Sequence, residues 1–199
     1  MSQTIEIEFK NELTLSEYKI IKTHFQLQDS QFFVQDNHYF DTKDFDLKEN
    51  KSALRIRKKG QAYELTLKQP IANGLLETNQ TITEMEANAA INQNIIPQGE
   101  VTNFLLEMNI HISDIHFFGT LSTKRAEWKY KNGLLVLDYS TYLNVEDYEL
   151  EYEVEDFQTG QSYFLELLST LQIPKRKTEN KVMRFYERKY LQIKSDQSL

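Results

Sequence analysis

The sequence predicts an α+β fold built on a largely antiparallel sheet, and three observations carry that expectation. Segment after segment alternates charged with apolar residues at the period of a β-strand. The first is Thr4–Glu12, where Glu6, Glu8 and Lys10 interleave with Ile5, Ile7 and Phe9. Strand-like runs meet at hairpin signals, Lys59-Gly60 and Lys131-Asn132-Gly133, so that neighbours run antiparallel. Finally, helical segments with one apolar stripe recur between the strands, and each needs a sheet surface to cover.

Taken in order, Thr4–Glu12 is followed by Thr14 and Glu17, a T-x-x-E capping box, with Tyr18, Ile21 and Phe25 at helical spacing behind it. Residues 31–41 read as extended. Ala53–Lys59 and Gln61–Lys68 form a hairpin, and Leu75–Ile82 is a further strand. Thr83 and Glu86 make a second capping box that opens a short helix through Ala90. Val101, Phe104, Leu105 and Met108 fall at i, i+3, i+4 and i+7, which predicts an amphipathic helix. Phe117–Tyr130 and Leu134–Leu143 flank the Asn-Gly turn, and residues 147–155 form another strand. Phe164, Leu167, Leu168 and Leu171 repeat the helical spacing up to Pro174, and residues 175–189 contain a last helix. The total is about eight strands and a few helices, joined mostly as hairpins.

Four strands carry charged faces. Glu6, Glu8 and Lys10 share one; Arg55 and Arg57 stand opposite Leu54 and Ile56; Glu64, Thr66 and Lys68 stand opposite Leu65 and Leu67; and Glu149, Glu151, Glu153 and Glu155 stand opposite Leu150, Tyr152 and Val154. Two placements satisfy this pattern. The charged faces can meet water on an antiparallel sheet or sandwich whose other face packs on a core. Alternatively, the helices cover the apolar faces from outside, the sheet closes into a barrel of about eight strands, and the charges line its lumen. The run Glu146–Asp156 favours the second, because it holds Glu146, Asp147, Glu149, Glu151, Glu153, Glu155 and Asp156 with no base to offset their repulsion. Facing rows of guanidinium and carboxylate suit a polyanion held with a divalent metal. Arginine binds phosphate oxygens in a planar fork, and carboxylates are ligands that Mg²⁺ prefers.

Composition narrows the function classes. The chain of 199 residues has no Cys, which excludes a disulfide framework and thiolate chemistry. Its formal charge of −7 argues against a general nucleic-acid binder. The N-terminus shows no basic region followed by an apolar run, and no stretch is long and apolar enough for a membrane span, so a cytoplasmic protein with no membrane or nucleic-acid partner is expected. His24, His38, His111 and His116 show no metal-like spacing. With 6 Gly and 3 Pro and no low-complexity linker, residues 1–199 read as a single domain; oligomeric state is not encoded in any pattern seen.

In these residues the chain resembles the CYTH superfamily, the triphosphate tunnel metalloenzymes. Glu6-x-Glu8-x-Lys10 is similar to the family's E-x-E-x-K signature. Tyr39-Phe40-Asp41-Thr42, Leu47 and Leu54-Arg55-Ile56-Arg57 follow in the family's order, as do Glu64-Leu65-Thr66-Leu67-Lys68, Thr123-Lys124-Arg125, Leu137-Asp138, Glu149-Leu150-Glu151 and the Lys181…Arg184 pair. The resemblance covers residues of about 4–188. It implies a closed eight-stranded antiparallel tunnel with a charged lumen and helices outside. It also implies that Arg55, Arg57, Lys68, Arg125 and Lys181, with Lys10 and Arg184, contact a triphosphate. Glu6, Glu8, Glu149 and Glu151, with Asp138 and Glu153, would hold Mg²⁺ or Mn²⁺. Glu6, Glu8, Lys10, Arg55, Arg57, Lys68 and Arg125 are the residues expected to carry catalysis. Both Glu149/Glu151 and Glu151/Glu153 satisfy the E-x-E spacing. One departure stands out: Leu76-Glu77-Thr78-Asn79-Gln80 lacks the basic residue that many relatives place in that strand.

The activity expected is metal-dependent hydrolysis of a triphosphate compound, either inorganic tripolyphosphate or a nucleoside triphosphate. Adenylate cyclase or thiamine triphosphatase chemistry on the same fold, and a non-catalytic polyphosphate or nucleotide sensor, are the alternatives. Phosphoryl transfer asks mainly for positioning and charge stabilisation, so no Ser, Cys or His nucleophile is required.

Overall fold

The computed structural model describes residues 2–72 and 74–196, with backbone alone at 2, 59 and 193–196. Its strands are β1 (Ser2–Leu13), β2 (Phe33–Thr42), β3 (Ala53–Lys59), β4 (Ala62–Ile71), β5 (Gly74–Ile82), β6 (Ile115–Tyr130), β7 (Gly133–Tyr142) and β8 (Val145–Val154). Its helices are α1 (Leu15–His24), α2 (Asp46–Glu49), α3 (Glu84–Gln93), α4 (Glu100–Glu107), α5 (Phe157–Thr170) and α6 (Lys181–Asp196). The strands hydrogen-bond in the order β1-β5-β4-β3-β2-β6-β7-β8 and close into an antiparallel barrel. The closure removes both free sheet edges, and it decides between the two placements left open by the sequence: this is a barrel with charged residues inside, not a sandwich.

By contact density the chain forms two compact units. One comprises the residues up to Ile5, Gln35–Leu121 and the residues from Lys181 onward; the other comprises Glu6–Val34 and Ser122–Asn180.

In the first unit, alternation along β2, β3 and β4 sends Phe40, Leu54, Ile56, Leu65 and Leu67 to one face. There they are fully buried with Ala87 and Ala90 of α3 and Val101 and Leu105 of α4. Burying a side chain of this size stabilises by about 1.5–3 kcal/mol each relative to exposure. Thr83 starts α3 with the expected reciprocal capping box to Glu86. Helix α6 is held by Phe185 and Tyr186, whose rings pack on Phe118 at 5.6 and 4.8 Å.

In the second unit, Leu135, Leu137, Leu150 and Tyr152 of β7 and β8 are buried under Ile21 of α1 and Phe164, Leu167 and Leu168 of α5. Thr14 and Glu17 form the predicted capping box of α1. Gly160 lets α5 lie close to the sheet, because a Cβ there would meet Val154 Cγ2 at 2.5 Å and Phe9 Cε2 at 2.9 Å. Residues 174–180 are not helical and run beside β1. Asn11 accepts a hydrogen bond from Arg176 N at 2.7 Å and donates to Pro174 O at 3.1 Å, while Thr178 Oγ1 accepts from Glu12 N at 2.9 Å. The last helix therefore starts at Lys181.

Candidate functional site

The faces of the strands turned away from the two apolar cores carry the charged residues singled out by the sequence. In the first unit they form a basic row. The β3–β4 register sets Arg55 opposite Thr66 and Arg57 opposite Glu64, and the β4–β5 register sets Thr66 opposite Asn79 and Lys68 opposite Glu77. Parity keeps all of these on one face. Arg57 Nε donates to Asn37 Oδ1 at 2.8 Å, and Asn37 is its register partner on β2. Arg55 Nη2 lies 3.8 Å from Glu77 Oε1, the same oxygen that takes an ion pair from Lys68 Nζ. Thr66 Oγ1 donates to Asn79 Oδ1 at 2.8 Å.

Lys181 and Arg184 join this unit at the start of α6, both partly buried. They share a helix side with Phe185, whose ring lies 5.8 Å from that of Tyr39, the register partner of Arg55. The rigid support for the row is Asp41. Its buried carboxylate accepts from Thr42 N at 2.8 Å, Leu47 N at 2.9 Å and Lys48 N at 3.1 Å, fixing the turn from β2 through α2 into β3. Burial raises the Asp41 pKa from its ordinary value, against the opposing pull of those donors.

The second unit carries the acidic row. Here Glu8 faces Glu153, Lys10 faces Glu151 and Glu12 faces Glu149 across β1 and β8, and Asp138 faces Glu149 and Arg125 across β7. Asp138 and Glu149 are 0% exposed, Glu151 6% and Arg125 8%. Arg125 organises the centre. Its Nε and Nη2 donate to the two oxygens of Asp138 at 2.8 and 2.6 Å, Nη2 also reaches Glu151 Oε2 at 2.8 Å, and Nη1 lies 3.6 Å from Glu127. Burial opposes the arginine's charge, but Asp138 and Glu151 outweigh it and hold its pKa well above the ordinary value. Lys10 bonds to Glu8 and to Asn180 Oδ1, the latter at 2.9 Å. For Lys10 too, burial lowers the pKa but Glu8, Glu151 and Glu149 more than compensate, so it lies above its usual value. Where the base supply runs out, the carboxylates suffer. Glu153 is pushed up to about 7, first by burial and then by the charges of Glu6 and Glu151, with Arg125 opposing and Glu8 adding to the rise.

The structure thus gathers Arg55, Arg57, Lys68, Lys181 and Arg184 in one unit, and Glu6, Glu8, Lys10, Arg125, Asp138, Glu149, Glu151 and Glu153 in the other. Among the described residues, no three His, Asp or Glu side chains converge closely enough to close a metal site; Asp138 and Glu151 are engaged by Arg125, and Glu8 by Lys10. The donor set nonetheless has the chemistry of a hard divalent cation, with carboxylates of Glu8, Asp138, Glu149, Glu151 and Glu153 on neighbouring strands. Asp41 and Glu77, quoted above only as motif positions, and Asn37, Glu127 and Asn180 make contacts that no sequence pattern assigned to them. Asn37 and Glu77 could have been found from strand parity, and Asp41 from its place before a tight turn. Asn180 gave no signal, because it reaches Lys10 from 170 positions away.

A closed antiparallel barrel with buried arginine, aspartate and glutamate inside defines a class of charge-lined barrel proteins, and comparison with known proteins gives the family. The CYTH domain profile matches residues 4–186, and the chain belongs to the CYTH domain family. It is 49% identical over 189 residues to a Bacillus subtilis (strain 168) protein named putative triphosphatase YjbK, covering 95% of this chain and 98% of that one. The crystal structure of a putative adenylate cyclase from Bacillus halodurans superposes with a TM-score of 0.90 at 44% identity, covering 94% of this chain and all of that one (100%). HpAC1 from Hippeastrum, a putative adenylyl cyclase described as having a dominant triphosphatase activity, shares the fold with a TM-score of 0.73 at 22% identity, over 92% of this chain and 96% of its own. No helix among the described residues is long and apolar enough to cross a membrane.

Proposed function

We propose that this protein is a divalent-metal-dependent hydrolase that releases orthophosphate from triphosphate compounds. The observation that carries the reading is the burial of opposed charge types on the barrel's inner faces, with Arg55 and Arg125 each 8% exposed and Glu151 6%. Burying charge is costly unless it is paired or put to use, and a polyanion is a use that two buried arginines and the half-buried Lys10, Arg57 and Lys68 suit. The similarity to a protein named as a triphosphatase supports the same reading.

In this account Arg55, Arg57 and Lys68 grip the phosphate chain, and Arg125, Lys181 and Arg184 add contacts. Arg57 is aimed by Asn37, and a guanidinium is the planar fork that matches phosphate oxygens. Lys10 holds Glu8 in place and stays protonated through the neutral range. Glu6, Glu8, Glu149 and Glu151, with Asp138 and Glu153, are the residues that would hold Mg²⁺ or Mn²⁺. When bound, such an ion supplies Lewis-acid charge for the phosphate oxygens and acidifies water. Water adds to the terminal phosphorus, the bridging oxygen leaves with the rest of the chain, and the basic row offsets the charge spread over the phosphoryl oxygens. A panel of inorganic tripolyphosphate, nucleoside triphosphates and thiamine triphosphate, assayed for phosphate release with Mg²⁺ and Mn²⁺, tests the reading; silence across the panel refutes it.

The similarity to the Bacillus halodurans protein favours one second reading, nucleotide cyclisation. Product analysis with ATP separates the two, since cyclisation yields pyrophosphate and a cyclic nucleotide in place of orthophosphate.

A further inference from the structure

We propose that Glu77 is a positioning residue of the basic row, an internal counter-anion that Lys68 and Arg55 exchange for substrate phosphate. The inference rests on the triphosphate reading above. Lys68 and Glu77 are direct cross-strand partners, and they form an ion pair through Glu77 Oε1. The same oxygen lies 3.8 Å from Arg55 Nη2, so one carboxylate serves both cations. The Glu77 side chain is 14% exposed and that of Arg55 9%, which leaves little water to screen the interaction. Glu77 is also the single charged residue of β5. Its neighbour along the same face, Asn79, meets Thr66 through a neutral hydrogen bond of 2.8 Å. The carboxylate is therefore the one set against Lys68 and Arg55, in a row whose other acid, Glu64, stands opposite Arg57.

Two consequences follow from its position. Before substrate arrives, Glu77 relieves the repulsion between the half-buried Lys68 ammonium and the buried Arg55 guanidinium and fixes the direction of both. When a phosphoryl oxygen takes Lys68, it must displace the carboxylate, so part of the attraction is spent on breaking an existing pair. When the product phosphate leaves, the pair re-forms, which favours release. Glu77 thus keeps the row from holding anions too tightly, and its effect falls on ground-state binding and product release more than on the reacting phosphorus.

The test compares full-length wild type, Glu77→Gln and Glu77→Asp by calorimetric titration with tripolyphosphate in the absence of divalent metal, and by steady-state phosphate release in its presence. Glu77→Gln should bind tripolyphosphate about tenfold more tightly, equivalent to ~1.4 kcal/mol. KM and kcat should both fall, with orthophosphate inhibiting at lower concentration. A residue with a merely structural role would lower kcat or stability without tightening binding. If folded Glu77→Gln binds tripolyphosphate no more tightly than wild type, the proposal is overturned. Should that variant fail to fold, Glu77→Asp carries the test: its shorter side chain loosens the pair and should tighten binding by a smaller factor, and unchanged or weaker binding overturns the proposal. Wild type that binds no tripolyphosphate at all defeats the triphosphate reading, and this inference with it.

Discussion

Asp138 takes both arms of the Arg125 guanidinium, Nε at 2.8 Å and Nη2 at 2.6 Å, in a pair shut off from solvent on the aspartate side. The two residues are register partners on β6 and β7, so the fork is set by the hairpin itself. Asp138→Ala leaves the guanidinium buried with Glu151 and Glu127 alone. Breaking a buried pair from one side costs about 3–5 kcal/mol, and the remaining carboxylates place this case near the lower end. Urea unfolding of the variant against wild type measures it, and a loss no larger than that of an exposed pair would show that water reaches the guanidinium.

The contact between Glu17 and Arg176 ties α1 to the segment beside β1, with Nη1 and Nη2 reaching the two carboxylate oxygens at 2.9 and 2.8 Å. Hydrogen bonds from Arg176 are the largest cause holding the Glu17 carboxyl below its ordinary 4.5; burial opposes them, and Thr14 and the charge of Arg176 assist. A depressed carboxylate contributes stability that is present above its unfolded value and is lost as pH falls through the folded one. Glu17→Gln should therefore be less stable than wild type near neutrality, with the gap closing below pH 4.5. Thermal melts of both proteins across pH 3–7 check this, and a gap that widens toward acid would contradict it.

Gly119 sits at φ +151, and a Cβ there would meet Phe185 Cζ at 2.7 Å. Phe185 docks α6 against Tyr39 and Phe118 and so positions Lys181 and Arg184. Gly119→Ala should cost about 1–3 kcal/mol through this overpacking, with faster amide exchange in α6 than in α5. Equal protection of α6 in the variant and wild type would show that the ring moves aside without loosening the helix.

Asp41 closes three backbone donors around α2. Asp41→Ala leaves them without that acceptor, at about 1–3 kcal/mol for each group that finds no water. Urea unfolding should show the loss of stability, and the affinity for tripolyphosphate should fall with it, because β3 carries Arg55 and Arg57.

Most strands were legible because alternation is a local signal. Arg55 and Arg57 opposite Leu54 and Ile56, or Glu151 opposite Leu150 and Tyr152, state which face is apolar without reference to any other part of the chain. Two local features have tertiary causes. Helix α2 is too short for a hydrophobic period; it is set by Phe45 in the left-handed region at φ 62 and by the Asp41 carboxylate. The segment 174–180 is polar, and its bonds to Asn11 and Glu12 hold it out of the helix that begins at Lys181. Of the site, residue types and faces were readable, but partners were not. That Arg125 would reach Glu151 across an intervening strand, or that Glu77 would face Lys68, depends on registers that no single segment encodes.

The central claim is that buried arginines and carboxylates of this barrel serve metal-dependent cleavage of a triphosphate. Orthophosphate release from tripolyphosphate by the full-length protein, measured with Mg²⁺ or Mn²⁺ and again after chelation, tests it most directly. Release should require the cation, stop on chelation and be strongly reduced in Arg57→Ala with the fold intact. No release with either cation, or release that persists unchanged in Arg57→Ala, would contradict it.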